Sequence, residues 1–502
     1  MIAKIHSLVP YGFDGELVEV EGDINKGLPS FNIVGMANKT VNEAKERVRS
    51  AIINSSFSFP ARKVTINLAP AELQKDGTYL DLPIALSVLV LSDQLLQSCV
   101  MDKLFVGELS LDGKLRPIKG VINIAEAARS FGYEQIFVPL DNLSQASLVP
   151  NITVYGVDTL QNLFLFLNHQ LELPTTNRAS RQITPDAKKA THPVFLDHIR
   201  GQESAKRALE VAVAGHHNIL ISGPPGAGKT LLAKAAANLL PDLTDTEIIE
   251  LTKIYSIAGL ANDKNISYRP FRSPHHTANQ ISILGGSSGP GEISLAHKGI
   301  LFLDEIPEFS RSVLESLRQP LEDKTISISR AGLKTTYPAD FMLIATMNPC
   351  PCGYLGDPTH ECHCTEHQIQ NYRKKLSGPL FDRIDMALTV ERVNNADLRL
   401  THPKRTPEHN VVKNNITDAI ARQRLRHKTR RNGSLSSFEV ASLLKLEPAA
   451  ERLLASASAK LNLSARSYFK TIKIAQTIAD LDRSGIIKSQ HLAEALTYRK
   501  RQ

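Results

Sequence analysis

The stretch GPPGAGKT has the residue types and the spacing of a loop that wraps around phosphate groups. Its members are Gly223, Pro224, Pro225, Gly226, Ala227, Gly228, Lys229 and Thr230. Glycines let backbone N–H groups turn inward toward phosphate oxygens. A lysine at this position reaches the β and γ phosphates of ATP, and the hydroxyl that follows it holds Mg²⁺. The stretch therefore predicts an ATP site, with Lys229 on the phosphates and Thr230 on the metal.

Two further stretches end in polar side chains that could assist phosphate hydrolysis. GILFLDE ends in Asp304 and Glu305, and FMLIATMN ends in Asn348. We expect Asp304 to bind the water shell of Mg²⁺ and Glu305 to act as general base on the attacking water. The Asn348 amide would hydrogen-bond the γ-phosphate and that water. The alternatives are a helix cap for the acids and a turn former for the asparagine.

Four of the five cysteines share one short loop, CPCGYLGDPTHECHC. They are Cys350, Cys352, Cys362 and Cys364. Two close thiolate pairs joined by a turn can bind Zn²⁺ tetrahedrally, and His360 or His363 could replace one cysteine. We predict structural zinc, which would supply folding free energy to a polar loop without a core of its own. Reduced structural thiols and a redox switch are the alternatives.

Each motif needs a strand to position it. Residues 219–221 form an apolar run before the phosphate loop, and an amphipathic helix follows that loop. Residues 300–303 form a second apolar run, typical of a strand covered on both faces. Ligands of such sheets bind where the strands end. The loop, the acid pair and the asparagine are therefore predicted to lie on one α/β sheet.

The chain has 502 residues, too many for a single core. Residues 1–167 have the pattern of a mixed α and β domain, and residues 168–192 are polar and are interpreted as a linker. Residues 193–392 alternate strands with helices and carry the motifs above. Residues 393–502 have a helical, basic pattern. The chain is thus predicted to be a multidomain α/β protein.

Charge and hydropathy restrict the partners and the compartment. The formal net charge is +8, which favours an acidic partner such as nucleic acid, although a mildly basic enzyme is the alternative. The longest apolar run, residues 84–91, is too short to cross a bilayer. The N-terminus lacks the pattern of a signal peptide. We expect a cytoplasmic protein without a membrane partner.

The order of these motifs resembles that of the AAA+ ATPases. GPLFDRID at 378–385 resembles the segment that carries their arginine finger, here Arg383, and LSARSYFK at 463–470 resembles their second-sensor helix, here with Arg466. The resemblance implies that both arginines stabilise charge on the γ-phosphate. Because a finger acts across a subunit boundary, it also implies a homohexamer that assembles with nucleotide or DNA. A surface ion pair is the alternative for either arginine.

Two segments resemble the AAA+ branch that contains magnesium chelatase and replicative helicases. Residues 269–299 are similar to its helix-2 insertion, and residues 325–343 are similar to the hairpin before the first sensor. In that branch such hairpins line a central pore. Arg272, Arg330 and Lys334 are therefore expected to contact a DNA backbone, with solvated loop charge as the alternative.

The N-terminal stretches QKDGTYLDLPIA and PIKGVINIAEAA resemble the proteolytic domain of the Lon family. That fold carries a Ser-Lys dyad. Here Leu80 and Asp81 lie near the expected serine position, Ile122 lies at the lysine position, and Lys119 is offset. Acyl transfer requires a nucleophile and a base within reach of each other. We expect a Lon-like α+β fold without peptidase activity.

Over essentially its whole length the chain resembles the YifB/ComM group. The resemblance implies a Lon-like domain, an AAA+ core and a C-terminal helical lid. It also implies a hexameric DNA helicase, acting on single-stranded and branched DNA, that drives branch migration during natural transformation. The alternative function is a protein-remodelling ATPase of the magnesium chelatase or chaperone type.

Overall fold

The computed structural model describes most of the chain, and these residues form two compact units. The described residues are 2–35, 39–71, 75, 78–176, 194–261, 265–286, 289–330, 333–357, 360–392, 408–428 and 430–499, with the backbone alone at 39–42, 329–330 and 333–334. The first unit comprises Met1–Asp186, Thr244–Ser267 and Ser329–Tyr337. The second comprises Ala187–Leu243, Tyr268–Ile328 and Pro338–Gln502. Within the described part of the chain, no helix is long and apolar enough to span a bilayer.

The first unit is built on a mixed sheet with helices packed against it. The strands of this unit are β1 Ile2–Tyr11, β2 Asp14–Asn25, β3 Ser30–Val34, β4 Lys63–Ala69, β5 Lys103–Phe105, β6 Glu108–Leu109, β7 Leu115–Arg116, β8 Gln135–Pro139, β9 Thr153–Val157 and β10 Thr175–Thr176. Strands β6 and β7 pair with each other in a separate two-stranded sheet. Its N-terminal helices are α1 Lys39–Asn54, α2 Asp81–Leu91, α3 Val121–Ser130, α4 Leu143–Ala146 and α5 Leu160–Leu167. The sheet order is β10-β9-β8-β5-β1-β2-β4-β3.

The hairpin β1-β2 is central to this sheet. It pairs ten residues of each strand, from Ile2 opposite Asp23 to Tyr11 opposite Asp14. Only two residues connect the strands, and Gly12 adopts a φ of 61°, as tight hairpin turns require. The apolar run predicted at 84–91 lies in α2, and every residue of that helix is buried. A helix that is apolar on all sides is stable only when neighbours cover it completely.

The second unit contains a five-stranded parallel sheet, with the order β12-β15-β18-β11-β19. These strands are β11 Ile219–Ser222, β12 Phe271–Arg272, β15 Ile300–Leu303, β18 Met342–Met347 and β19 Met386–Thr389. The helices around the sheet are α6 Glu203–Gly215, α7 Lys229–Leu239, α9 Gln280–Leu284, α10 Glu292–Leu295, α11 Arg311–Ser316, α12 Arg318–Asp323, α13 Glu366–Lys374 and α14 Gly378–Phe381. The prediction of an α/β core is confirmed, and all the strand pairs of its sheet are parallel.

The C-terminal part of the second unit is helical, as its sequence predicts. Its helices are α15 Glu408–His427, α16 Ser437–Leu443, α17 Pro448–Lys460, α18 Ala465–Leu481 and α19 Ser489–Thr497. Apolar residues of α15 and α18, such as Ile416 and Ile478, join the same hydrophobic core as Ile219 and Leu232. The helical region therefore packs directly on the sheet that carries the phosphate loop.

Helix α8, Asp245–Ile257, follows α7 in the sequence but belongs to the first unit. Its Lys253 is buried, forms an ion pair with Glu126 and lies 4.0 Å from the ring centroid of Phe13. The Ser256 hydroxyl accepts a hydrogen bond of 3.0 Å from the backbone N–H of Gly120. The segment Thr244–Ser267 is thus anchored to the first unit by charge, ring and backbone contacts.

Two small hairpins lie in the segments that resemble the chelatase branch. β13 Gly285–Gly286 pairs with β14 Gly289–Pro290 between α9 and α10. β16 Thr325–Arg330 and β17 Leu333–Pro338 form a separate two-stranded sheet before β18. The two alternating arms predicted at 325–343 are therefore confirmed as strands. The predicted domain boundaries remain predictions, and residues 177–192 of the predicted linker 168–192 lie outside the described residues.

Candidate nucleotide site

The phosphate loop connects β11 to α7 in the predicted strand–loop–helix order. Gly226 and Gly228 adopt φ values of 79° and 83°, which side chains with a Cβ tolerate poorly. A Cβ at Gly223 would lie 2.4 Å from the carbonyl oxygen of Val390. The loop therefore needs its glycines both for its backbone turn and for its close approach to the neighbouring chain segment.

The Lys229 ammonium is directed into this loop. Its Nζ donates to the carbonyl oxygen of Gly223 and lies 2.7 Å from Oδ1 of Asn348. Burial lowers the pKa of Lys229, against the opposing effect of the Asp304 and Glu305 carboxylates. The Lys229 ammonium is thus paired with neutral amide and carbonyl oxygens. A negatively charged phosphate oxygen would bind it more strongly.

The acid pair lies beside the loop at the end of β15. The Thr230 hydroxyl donates to Oδ2 of Asp304 over 3.4 Å. The Asn348 amide donates to Oε1 of Glu305 over 3.1 Å, so Asn348 bridges Lys229 and Glu305. The predicted side chains Lys229, Thr230, Asp304, Glu305 and Asn348 are therefore brought together in one site.

Thr346 is a member of this site that the sequence did not single out. It is fully buried on β18, and its hydroxyl donates to Oδ1 of Asp304. The Thr346 hydroxyl oxygen also accepts a 3.0 Å hydrogen bond from the backbone N–H of Glu305. Thr346 therefore orients both acids at once. The signal in the sequence is a hydroxyl inside an otherwise apolar strand, two residues before Asn348.

The four loop cysteines come together between β18 and α13. The Sγ of Cys350 lies 3.3 Å from that of Cys352 and 3.6 Å from that of Cys362. All four sulfurs lie within 4.8 Å of one another. Four sulfurs that ligate Zn²⁺ at about 2.3 Å lie about 3.8 Å apart at the corners of a tetrahedron. The spacing of this cluster therefore fits one zinc ion.

The two predicted arginines contact the same carboxylate. Arg383 has its guanidinium 2.6 Å from Oε2 of Glu322, and Arg466 donates to Oε1 of that residue over 3.1 Å. The Arg383 side chain is 10% exposed, whereas that of Arg466 is 57% exposed. Both guanidinium groups are thus gathered at α12.

Hydrogen bonds from two directions hold the backbone around Arg383. The Asn218 amide donates to the carbonyl oxygen of Arg383 over 3.0 Å, and its backbone N–H donates to Asp385 over 2.9 Å. The Lys470 ammonium donates to the carbonyl oxygen of Ile384 over 2.8 Å. Burial lowers the pKa of Lys470. Contacts from the sheet and from α18 therefore fix the backbone that presents Arg383.

The predicted DNA contacts have different structural settings. Arg272 lies on the edge strand β12 and forms two hydrogen bonds of 2.6 Å with Glu292. Arg330 and Lys334 lie at the hairpin ends of β16 and β17, and their side chains are outside the described residues. The Glu292 carboxylate neutralises Arg272, so a phosphate would have to compete for that guanidinium.

The fold and the site define an AAA+ protein of the magnesium chelatase type. The family described as "Magnesium chelatase, subunit ChlI" matches residues 195–398. "Subunit ChlI of Mg-chelatase" matches residues 20–142, and "Magnesium chelatase, subunit ChlI C-terminal" matches residues 407–499.

Several relatives, among them the following three, match the chain over nearly its full length. Uncharacterized protein YifB of Escherichia coli is 42% identical, over 99% of this chain and 97% of the relative. Competence protein ComM of Haemophilus influenzae is 41% identical, over the same shares. Uncharacterized protein Rv2897c of Mycobacterium tuberculosis is 37% identical, over 99% of each chain. The chain belongs to the YifB/ComM family of magnesium chelatase-like AAA+ proteins.

Proposed function

We propose that this protein is an ATP-driven DNA translocase or helicase, which works as a homohexamer and promotes branch migration in homologous recombination during natural transformation. The observation that carries the motor assignment is the single cluster formed by Lys229, Thr230, Asp304, Glu305 and Asn348. These groups supply phosphate binding, metal binding and water activation within hydrogen-bonding reach of one another.

Each residue has a distinct task in the proposed hydrolysis. Lys229 would exchange its bonds to Gly223 and Asn348 for phosphate oxygens. Glu305 would accept the proton of the attacking water, and Asn348 would orient that water. The oxygen donors of Thr230 and Asp304 suit Mg²⁺, which would neutralise charge on the phosphates.

The shared contact with Glu322 supports assembly into a ring. An arginine finger acts on a nucleotide bound by the adjacent subunit. Arg383 lies on a braced segment and Arg466 is half-exposed, and both already converge on one anionic group. A γ-phosphate presented by a neighbouring copy would provide a stronger anion for the same two guanidinium groups.

Three observations favour DNA as the substrate. One relative is named as a competence protein, the chain is basic with a net charge of +8, and the hairpin β16-β17 carries Arg330 and Lys334 near its tip. The basic helix α15 offers less free positive charge to DNA than its sequence suggests, because Arg426 forms an ion pair of 2.6 Å with the buried Asp480. The hairpin is therefore the better candidate for gripping a phosphate backbone.

Protein remodelling is the second candidate function. The families that match all three segments of the chain are described as subunits or parts of magnesium chelatase. A motor of that kind would use the same ATP site. The difference would lie in what the pore hairpins contact.

We infer that the four cysteines bind one structural Zn²⁺ ion, since their sulfur spacing fits a tetrahedral site. A reducing, cytoplasmic location agrees with thiol ligands. Elemental analysis of protein purified without added metal should give one zinc ion per chain. Folded protein free of zinc would contradict this assignment.

We infer that the first unit is a Lon-like fold without peptidase activity. Ile122, at the expected lysine position, is fully buried on α3. Asp81, near the expected serine position, is buried and receives two hydrogen bonds from Arg47, of 2.9 and 3.1 Å. The expected lysine position thus holds a packed apolar side chain, and the acid near the expected serine position is paired with an arginine. Neither position provides a member of a Ser-Lys dyad.

The deciding experiment measures the ATP hydrolysis rate with and without single-stranded DNA, for wild type and Lys334→Ala. We expect DNA to stimulate hydrolysis and this variant to lose the stimulation, while Lys445→Ala, at an exposed lysine in the C-terminal helical region, retains it. A three-strand branch-migration assay then tests the helicase step. Unstimulated hydrolysis would favour protein remodelling.

A further inference from the structure

The cysteine loop and the phosphate loop are in direct contact. Gly353 follows Cys352 and adopts a φ of 86°. A Cβ at this position would lie 2.7 Å from Cδ and 2.8 Å from Cγ of Pro225, which is a member of the phosphate loop. Only a residue without a side chain allows the two loops to approach this closely.

The same turn also lies next to Asn348. The Cβ position of Gly353 is 3.9 Å from Cγ of Asn348, whose amide oxygen lies 2.7 Å from Nζ of Lys229. The backbone N–H of Gly353 donates to the carbonyl oxygen of Cys350 over 3.0 Å. A short chain of contacts therefore runs from the thiol cluster to the phosphate-binding lysine.

In addition to the thiol cluster, two other contacts hold this loop: Tyr354 stacks on His360 with ring centroids 4.8 Å apart, and Arg392 forms an ion pair of 3.3 Å with the buried side chain of Asp357. Between the end of β18 and the start of α13, the described residues contain no helix or strand. Cys350 is buried, but Cys352, Cys362 and Cys364 are partly exposed, so apolar burial gives the loop little stability. Zn²⁺ bound by the four sulfurs would add the binding free energy of metal ligation to these contacts and order the turn further.

We propose that Zn²⁺ bound by the four cysteines controls the affinity of the phosphate loop for ATP, by holding the Gly353 turn against Pro225 and Asn348. The inference rests on the proposed ATP site and deepens it. Binding linkage is reciprocal, so ATP would also tighten zinc binding by the same factor. Loss of zinc would then weaken the motor at its nucleotide-binding step.

The first test compares nucleotide binding by the full chain with and without zinc. Zinc is released with a mercurial reagent and a chelator, the mercurial is removed with excess thiol, and half of the sample is reloaded with Zn²⁺. The dissociation constant of a fluorescent ATP analogue should rise about tenfold on zinc removal and return on reloading. Circular dichroism checks that the stripped protein remains folded. An unchanged constant in folded, zinc-free protein would overturn the proposal.

A second test separates the contact from the metal. Gly353→Ala keeps all four cysteines but places a methyl group against Pro225. Gly356→Ala is the matched control, because Gly356 has a similar φ of 80° in the same loop and, among the residues that the structure describes, no atom lies within 4 Å of its Cβ position. We expect Gly353→Ala to retain one zinc per chain and bind the analogue about tenfold more weakly, with Gly356→Ala like wild type.

The outcomes distinguish this proposal from the proposed function. Equal affinities for the two glycine variants would overturn the role of the Gly353 contact. Failure of zinc-loaded wild type to bind the analogue would overturn the ATP site itself, and the present inference with it. Normal ATP binding by a wild-type chain that contains no zinc would overturn the proposal that zinc sets the ATP affinity, and would leave the proposed ATP site intact.

Discussion

The guanidinium of Arg383 lies 2.6 Å from a carboxylate oxygen of Glu322. The other oxygen of that carboxylate accepts a hydrogen bond from Arg466, so one acid engages both residues proposed to sense the γ-phosphate. The acid thereby keeps two cations close together before any nucleotide arrives. A phosphate from a neighbouring copy would have to displace Glu322.

Trans action of Arg383 can be tested by mixing inactive variants. Arg383→Ala and Lys229→Ala should each lose about 10³-fold in ATP hydrolysis, because one removes charge stabilisation and the other removes phosphate binding. A mixture of the two should recover part of the activity, since some interfaces would pair an intact loop with an intact finger. Steady-state hydrolysis over a range of mixing ratios provides the measurement. A mixture no more active than its components would contradict trans action.

Removal of the Thr346 hydroxyl should impair hydrolysis more than binding. Thr346→Val leaves the backbone N–H of Glu305 without its acceptor, and an unsatisfied group of this kind costs about 1–3 kcal/mol. If that cost falls on the transition state, kcat decreases about tenfold or more. Thr346→Ser keeps the hydroxyl and serves as the control. Equal rates for the two variants would show that the bridge to the acids is dispensable.

Glu305→Gln should bind ATP but hydrolyse it slowly. The amide cannot accept the proton of the attacking water, and loss of a general base lowers the rate about 10²- to 10⁴-fold. The contact with Asn348 can persist through the amide oxygen, so nucleotide affinity should remain near that of wild type. Glu308→Gln, at an exposed acid three residues later, is the matched control. Single-turnover hydrolysis and analogue binding distinguish the two steps, and a rate equal to that of Glu308→Gln would exclude Glu305 as the base.

Lys253→Met tests how α8 is anchored to the first unit. The change removes the ion pair with Glu126 and the cation–π contact with Phe13, while it keeps most of the apolar stem. We expect the free energy of unfolding of this unit to fall by about 1–2 kcal/mol, because the ammonium is buried but its acid partner is partly exposed. Urea denaturation monitored by tyrosine fluorescence measures the change. Lys445→Met provides an exposed comparison, and equal stability of the two variants would contradict the anchoring role.

Short-range features of this protein were predictable from its sequence. The phosphate loop, the strands before Asp304 and Asn348, and the paired cysteines each depend on residues that are close together in the chain, so their spacing carries the information. The convergence of Lys229, Asp304 and Asn348 followed from the general rule that ligands bind at the ends of parallel strands.

Long-range partners could not be predicted in the same way. Glu322 is an ordinary helical acid in the sequence, and only folding brings Arg383 and Arg466 to it. The ion pair of Arg272 with Glu292 depends on the return of the chain after β12. The role of Thr346 depends on β15 and β18 lying side by side, which sequence periodicity does not specify.

The position of α8 restricts which parts of the chain relatives can exchange by recombination. The polypeptide completes most of the first unit, passes into the second, and then returns to the first through Thr244–Ser267. Recombination between β10 and α6 would therefore not transfer the complete first unit from one relative to another, because the incoming N-terminal piece would meet a foreign α8. The residues facing each other across that packing, such as Glu126 and Lys253, are expected to change together in evolution.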